Sequence, residues 1–202
     1  MVTVSTLKEY LPEVTGTTAN TDLESLLDRV EAATVRYMGW PKPSSLASPR
    51  LLETAYTFFL NSPTNERADV LQLPIRPIQS ITSIHSDVNR QYNSDSLIDA
   101  STYSLDKYEG RVILDPVDAT DTFEKGYRAI KVVCQAGYAN NELPSDLEHG
   151  ICVWASQLHR NKATQGKNSI TQRAATVSIS PKTMPPEVKE ILASFRESHQ
   201  IF

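Results

Sequence analysis

Between residues 20 and 40, "NTDLESLLDRVEAATVRYMGW", apolar side chains return every three or four positions. Leu23, Leu26, Leu27, Val30, Ala33 and Tyr37 therefore share one face of a helix predicted over residues 22–38. Thr21 with Glu24 reads as a capping box, and Gly39 followed by Pro41 stops the helix. The same period returns in "LPSDLEHGICVWASQLHRNK", where Leu147, Ile151, Trp154, Ala155 and Leu158 align in a helix over residues 144–162. Gly150 costs that helix about 1 kcal/mol relative to alanine, which points to close packing against a neighbour. A last helix is expected over about 186–199, with Pro185 or Pro186 in its first turn and Val188, Ile191, Leu192 and Phe195 along one side. A shorter one is expected over residues 5–11, ended by Pro12.

Elsewhere the pattern changes. "TYSLD" (102–106) and "RVILD" (111–115) flank "KYEG", a hairpin-length turn, and "YRAIKVVCQAGY" (127–138) reads as a further strand. "LQLPIRPIQSITSIHSD" (71–87) alternates after Pro74 and Pro77, which fix φ and give no N–H, so they belong at a strand's entrance or edge. Together these stretches predict one small antiparallel sheet within about 51–138, its polar loops exposed, above all "DVNRQYNSDSLIDAS". "RLLETAYTFFL" suits a helix begun by Ser48 and Pro49 or a strand, and periodicity does not decide. The fold class is thus α+β. A helical core of the N-terminal and central amphipathic helices holds an inserted small sheet, and an extended C-terminal arm and terminal helix follow. The two helices should pack through Leu26, Val30, Ile151, Trp154 and Leu158. The body is expected to span 1–162 and the arm with its helix 163–202.

Charge sharpens this division. The 202-residue chain has a net charge of -4, yet residues 1–160 carry 14 basic and 21 acidic side chains against 6 and 3 in 161–202. Lys162, Lys167, Arg173 and Lys182 stand between 161 and 186 with no acid among them, in a segment too polar to bury much of itself. Such an arm fits an acidic partner surface, and the apolar stripe beyond it needs something to lie against. No apolar run suits a membrane span and no secretion signal opens the chain, so a soluble protein made in the cytoplasm is expected.

Candidate chemistry is sparse. Cys134 and Cys152 have no metal or redox spacing and read as buried small hydrophobes, with a disulfide as the second reading, and His85, His149, His159 and His199 are scattered. No GxSxG, P-loop, GxGxxG or HExxH occurs. The pairs Asp118 with Asp121 and Asp95 with Asp99 lie in polar loops as turn residues. No catalytic residue, metal or cofactor is expected, and the sequence argues for an interaction protein.

Three stretches in order, "LPIRPIQSITSI", "YSLDKYEGRVIL" and "RAIKVVCQAGYANNELPSDLEHGICVWASQLHRNK", resemble the head-tail connector proteins of tailed bacteriophages and gene transfer agents, also called head-completion or adaptor proteins. In that family an N-terminal "LKEYL" and an acidic amphipathic helix lead to a proline-flanked strand, and a strand ending in "AGY", then "LP" and a helix, close the pattern. Lys8, Glu9, Tyr10 and Leu11 match the opening; Leu73, Pro74, Pro77, Ile78 and Ile81 the strand; Ala136, Gly137, Tyr138 and Pro144 the close. The match covers roughly residues 5–162. It also implies that "RLLETAYTFFLNSP" is a strand before the proline pair.

The resemblance implies a protein without catalysis, in the virion neck between capsid portal and tail. Copies would form a ring, commonly of about twelve, beneath the portal. The ring would extend the DNA channel without specific DNA binding and receive a stopper or tail-completion protein on its opposite face. Rigid strand entrances at Pro74 and Pro77 would help every subunit repeat one contact angle. Beyond the match, portal contact is expected from Lys162, Lys167, Arg173 and Lys182 and from the stripe Val188, Ile191, Leu192 and Phe195, the terminal helix docking on the portal or a neighbouring subunit; alternatively this helix folds back on its own body. The alternative is a small nucleic-acid-binding β module with a basic tail, which would need surface aromatics interleaved with Lys and Arg in its sheet; the sequence shows no such arrangement.

Overall fold

The computed structural model describes residues 2–44, 50–62, 69–115, 122–140, 142–164, 169–172, 175–178 and 184–196, those between 163 and 178 by backbone alone. The chain divides into two compact units, one of Met1–Met38 with Leu143–Arg196 and one built from Gly39–Glu142. The division expected at residue 162 is therefore replaced by one in which both ends of the chain share a helical unit and the β region is inserted between them.

The helical unit contains α1 (Val4–Glu9), α2 (Asn20–Met38), α3 (Ser145–Arg160) and α4 (Pro186–Ala193). Thr3 caps α1 by accepting the Thr6 N–H at 3.1 Å. In place of the Thr21 capping box and a start at residue 22, α2 opens two residues earlier, at Asn20. Asn20 there accepts a 2.6 Å hydrogen bond from Lys8 Nζ, so the "LKEYL" segment holds the helix start from outside. Leu23, Leu26, Leu27, Val30, Val35 and Met38 form its buried stripe, and Gly39 at φ +83° ends it in the left-handed conformation that favours glycine. Asp146 and Glu148 in the first turn of α3 and His159 and Arg160 in its last complement the helix dipole. Arg160 ties α3 to the chain after α1, donating to Tyr10 O at 2.7 Å and to Glu13 Oε1 at 3.0 Å, and the latter bond holds the Glu13 carboxyl below its ordinary range.

The arm is not simply extended. Its backbone forms a ribbon of β7 (Ser169–Gln172) and β8 (Ala175–Ser178), antiparallel with Ser169 opposite Ser178. Ile170, Thr171, Thr176 and Val177 are β-branched, and pairing within the ribbon gives the arm's backbone partners without a core.

The β unit holds two sheets where one was expected. The first has the order β1 (Thr54–Leu60), β6 (Ile130–Ala136), β3 (Ile78–Ser86); the second β2 (Val70–Gln72), β5 (Arg111–Leu114), β4 (Tyr103–Asp106); all neighbours are antiparallel. The proline pair separates β2 from β3, because Leu73 to Pro77 offers two residues without N–H, and the chain leaves one sheet there and enters the other. The ambiguous "TAYTFFL" is a strand, paired from Thr54 opposite Ala136 to Leu60 opposite Ile130. In the first sheet Tyr56, Phe58, Ile84, Ile130, Val132, Cys134 and Ala136 point inward and are buried, and their alternates face outward.

Candidate functional site

Among the described residues there is no group of three or more His, Cys, Asp or Glu side chains able to hold a metal ion, and no helix long and apolar enough to cross a membrane. Cys134 in β6 and Cys152 in α3 are free and buried, and burial pushes both thiols up to about 12, far from thiolate chemistry at neutral pH. Asp99 is a turn acceptor, taking the Ser101 N–H at 2.8 Å, and Asp118 and Asp121 lie outside the described residues.

The first surface lies on the helical unit. Leu26, Val30 and Ile151 are buried, whereas Trp154 and Leu158, expected in the core, are only half-buried. Their place is a groove of about 350 Å³ between α2 and α3, floored by Leu26, Val30, Ala33, Trp154 and Leu158. Arg29, His159 and the 3.1 Å Lys162–Asp22 ion pair lie around it. Helical spacing put Trp154 on the apolar face correctly, but that face is wider than α2 covers. Trp154→Ala is therefore expected to cost roughly 1–3 kcal/mol in denaturant unfolding, below the about 3–5 kcal/mol of an enclosed aromatic. A loss at the upper figure would mean that the groove is closed in solution.

Of the residues expected to meet a portal, Lys162 is exposed in its ion pair, and Lys167, Arg173 and Lys182 lie outside the described residues. The apolar stripe is placed otherwise than expected. Val188 and Leu192 are fully buried, Ile191 lies over Gly150 with its Cγ2 3.5 Å from where a Cβ would stand, and Phe195 is half-buried. The terminal helix folds back on α3 of its own unit, and Gly150 is the close-packing site its sequence position suggested.

The second surface, missed in the sequence, is on the outer face of the first sheet. Phe59 of β1, 40% exposed, stands opposite Lys131 of β6. The Phe59 and Tyr92 rings lie 5.5 Å apart, the Arg128 guanidinium sits 4.8 Å from the Phe59 centroid, and Lys131 Nζ sits 5.6 Å from that of Tyr92. Tyr127 is 70% exposed beside them in the chain. The cluster draws Phe59 and Lys131 from strands of the sheet and Tyr92 and Arg128 from the loops beside it. The cue was strand register, which places Phe59 on Lys131 across a long stretch of sequence.

The loop that supplies Tyr92 is ordered by one carboxylate. Asp87 accepts the backbone N–H groups of Asn89, Gln91 and Tyr92 at 2.7, 2.8 and 2.9 Å, and these bonds, that of Tyr92 foremost, lower its pKa. Because the folded value is depressed, this contribution to stability is complete above the ordinary carboxylate range and is lost as pH falls through the lowered value. Asp87→Asn at fixed neutral pH is expected to speed amide exchange at Asn89, Gln91 and Tyr92 while β6 amides stay protected. Unchanged protection in the loop would remove Asp87 from this role. Tyr92 is further held by its hydroxyl, which donates to Arg128 O at 2.6 Å.

Comparison with known proteins places this architecture. Three similar solved structures are of gene transfer agents. One chain, from the neck of a native particle computed with C12 symmetry, has a TM-score of 0.57 at 16% identity over 96% of this chain and 88% of its own. A second, from the virion of a native particle, has a TM-score of 0.53 at 16% identity over 90% and 79%. A third, from the neck of an empty particle computed with C6 symmetry, has a TM-score of 0.53 at 16% identity over 88% and 78%. No curated protein matches. At such identity these likenesses establish the fold, and the family follows from sequence: the head completion protein model matches residues 1–198, both units and the terminal helix included, so this chain belongs to the head completion protein family.

Proposed function

We propose that the protein is a head-tail connector in the neck of a tailed phage or phage-like particle, where about twelve copies form a ring beneath the portal and extend the DNA channel. The observation that carries this is the family match over residues 1–198, supported by a fold likeness spanning 96% of the chain to a protein in a neck computed with C12 symmetry. The opposite face of the ring receives the stopper or tail-completion protein. With Val188 and Leu192 taken up inside the subunit, portal contact falls to the basic side chains Lys162, Lys167, Arg173 and Lys182, which suit an acidic portal surface. The acid excess of residues 1–160 suits a conduit through which DNA slides without being held.

The test is to add purified protein to portal-bearing heads and image the particles. Added density forming a closed ring on the portal is expected. Protein that leaves portals bare at saturating concentration would overturn the proposal, as would submicromolar, salt-dependent affinity for duplex DNA at physiological salt.

A further inference from the structure

We propose that the cation-aromatic patch of Phe59, Tyr92, Arg128 and Lys131 is a subunit contact, and that its occupant is the acidic face of α2 on a second copy of this chain. The inference rests on the ring reading above and names the surfaces that would make it.

The patch is built to present charge. Each ring carries one cation, Arg128 over Phe59 and Lys131 over Tyr92, and neither cation is in a carboxylate ion pair among the described residues. Cations held over rings lose less side-chain entropy on binding than free ones, and aromatics with arginine are the composition of interface anchors. Since the ring faces already hold cations, the patch offers a partner positive charge ahead of stacking surface. That favours an anionic protein side chain over a nucleic-acid base.

The complementary surface occurs on the same chain. Glu24 and Asp28 are exposed on α2, and neither is in an ion pair among the described residues. Like charges four residues apart on a helix repel, and cations arriving beside them would turn a small cost into a gain. Glu24 and Asp28 stand one helical turn apart on the same face of α2, and the two cations belong to one cluster through rings whose centroids are 5.5 Å apart. A pair of carboxylates on one helix face thus meets a pair of cations in one cluster. A patch on one copy against a different patch on the next is a head-to-tail contact, the kind that repeats around a ring.

A zero-length carbodiimide, which joins a lysine amine to a carboxylate in direct contact, reads this arrangement. Equal amounts of 14N- and 15N-labelled full-length protein are coupled, in concentrated solution and on portal-bearing heads, and the products mapped by mass spectrometry. Mixed-isotope peptides linking Lys131 to Glu24 or Asp28 are expected. The pair Arg128→Glu with Lys131→Glu should lower inter-chain assembly on heads by about tenfold or more. Glu24→Lys with Asp28→Lys should do the same, and all four together should restore assembly, which a merely misfolded variant would not do. Inter-chain links that map elsewhere would overturn this contact and leave the ring standing. Absence of any inter-chain link on occupied heads would overturn the ring as well. Inter-chain coupling that persists in Arg128→Glu with Lys131→Glu while duplex DNA retention is lost would assign the patch to phosphate and overturn the proposal.

Discussion

Gly137→Ala should unfold the β unit more readily by about 3–5 kcal/mol, the largest loss expected from adding a single methyl group to this chain. Two costs combine. Gly137 sits at φ +113°, a conformation that side-chain-bearing residues rarely adopt, and a Cβ there would stand 2.7 Å from Leu52 O and 2.8 Å from Leu51 O. Neither carbonyl can retreat freely. Tyr138 N–H donates to Leu51 O at 2.8 Å, Glu53 N–H to Tyr138 O at 3.0 Å, and Gly137 N–H to Pro77 O at 2.9 Å. The "AGY" turn thus clamps the end of β6 to the entrance of β1 and, through Pro77, to the start of β3. Chemical denaturation with the first sheet's aromatics as probe measures the loss. A cost below about 1 kcal/mol would mean that the clamp gives way easily.

That clamp shows why some of the fold was legible and some not. The helices could be read because their signals are local: the stripe from Leu23 to Val30 and the stop at Gly39 lie within a few turns of one another. The strands β3, β4, β5 and β6 could be read for the same reason, their alternation and turn residues being adjacent in the chain. The division of the β region into two sheets could not, because the chain's choice of partner strand is long-range. β6 pairs with β1 and β3, both far upstream. The surface containing Phe59 and Lys131 was hidden by the same fact, since only register brings them face to face. Trp154 failed differently. Periodicity placed it on the apolar face of α3 but carries no information on how much of that face the neighbouring helix covers, and a groove remains.

The terminal helix supplies the other large effect. Its sequence reads as an apolar stripe beyond a polar arm, and the stripe's partner turns out to be α3 of the same unit: Val188 and Leu192 are fully buried, Ile191 rests on Gly150, and Arg196 lies 6.0 Å from the Tyr37 centroid of α2. Removing everything after Lys162 should therefore destabilise the helical unit as well as weaken attachment to heads. Leu192→Ala isolates the first effect and should cost about 2–5 kcal/mol, as for a leucine with no exposed surface whose neighbours relax only in part. Gly150→Ala gives the opposite sign. The 3.5 Å approach to Ile191 is ordinary contact, so the added methyl fits and the helix gains up to about 1 kcal/mol from the better helix former. Gly150→Leu would push against Ile191 and is expected to undo the docking, at a cost of about 1–3 kcal/mol. Thermal or denaturant unfolding of the three variants separates the possibilities. If Leu192→Ala and Gly150→Leu both unfold like the parent while attachment to heads falls, α4 is held by a partner and not by its own subunit.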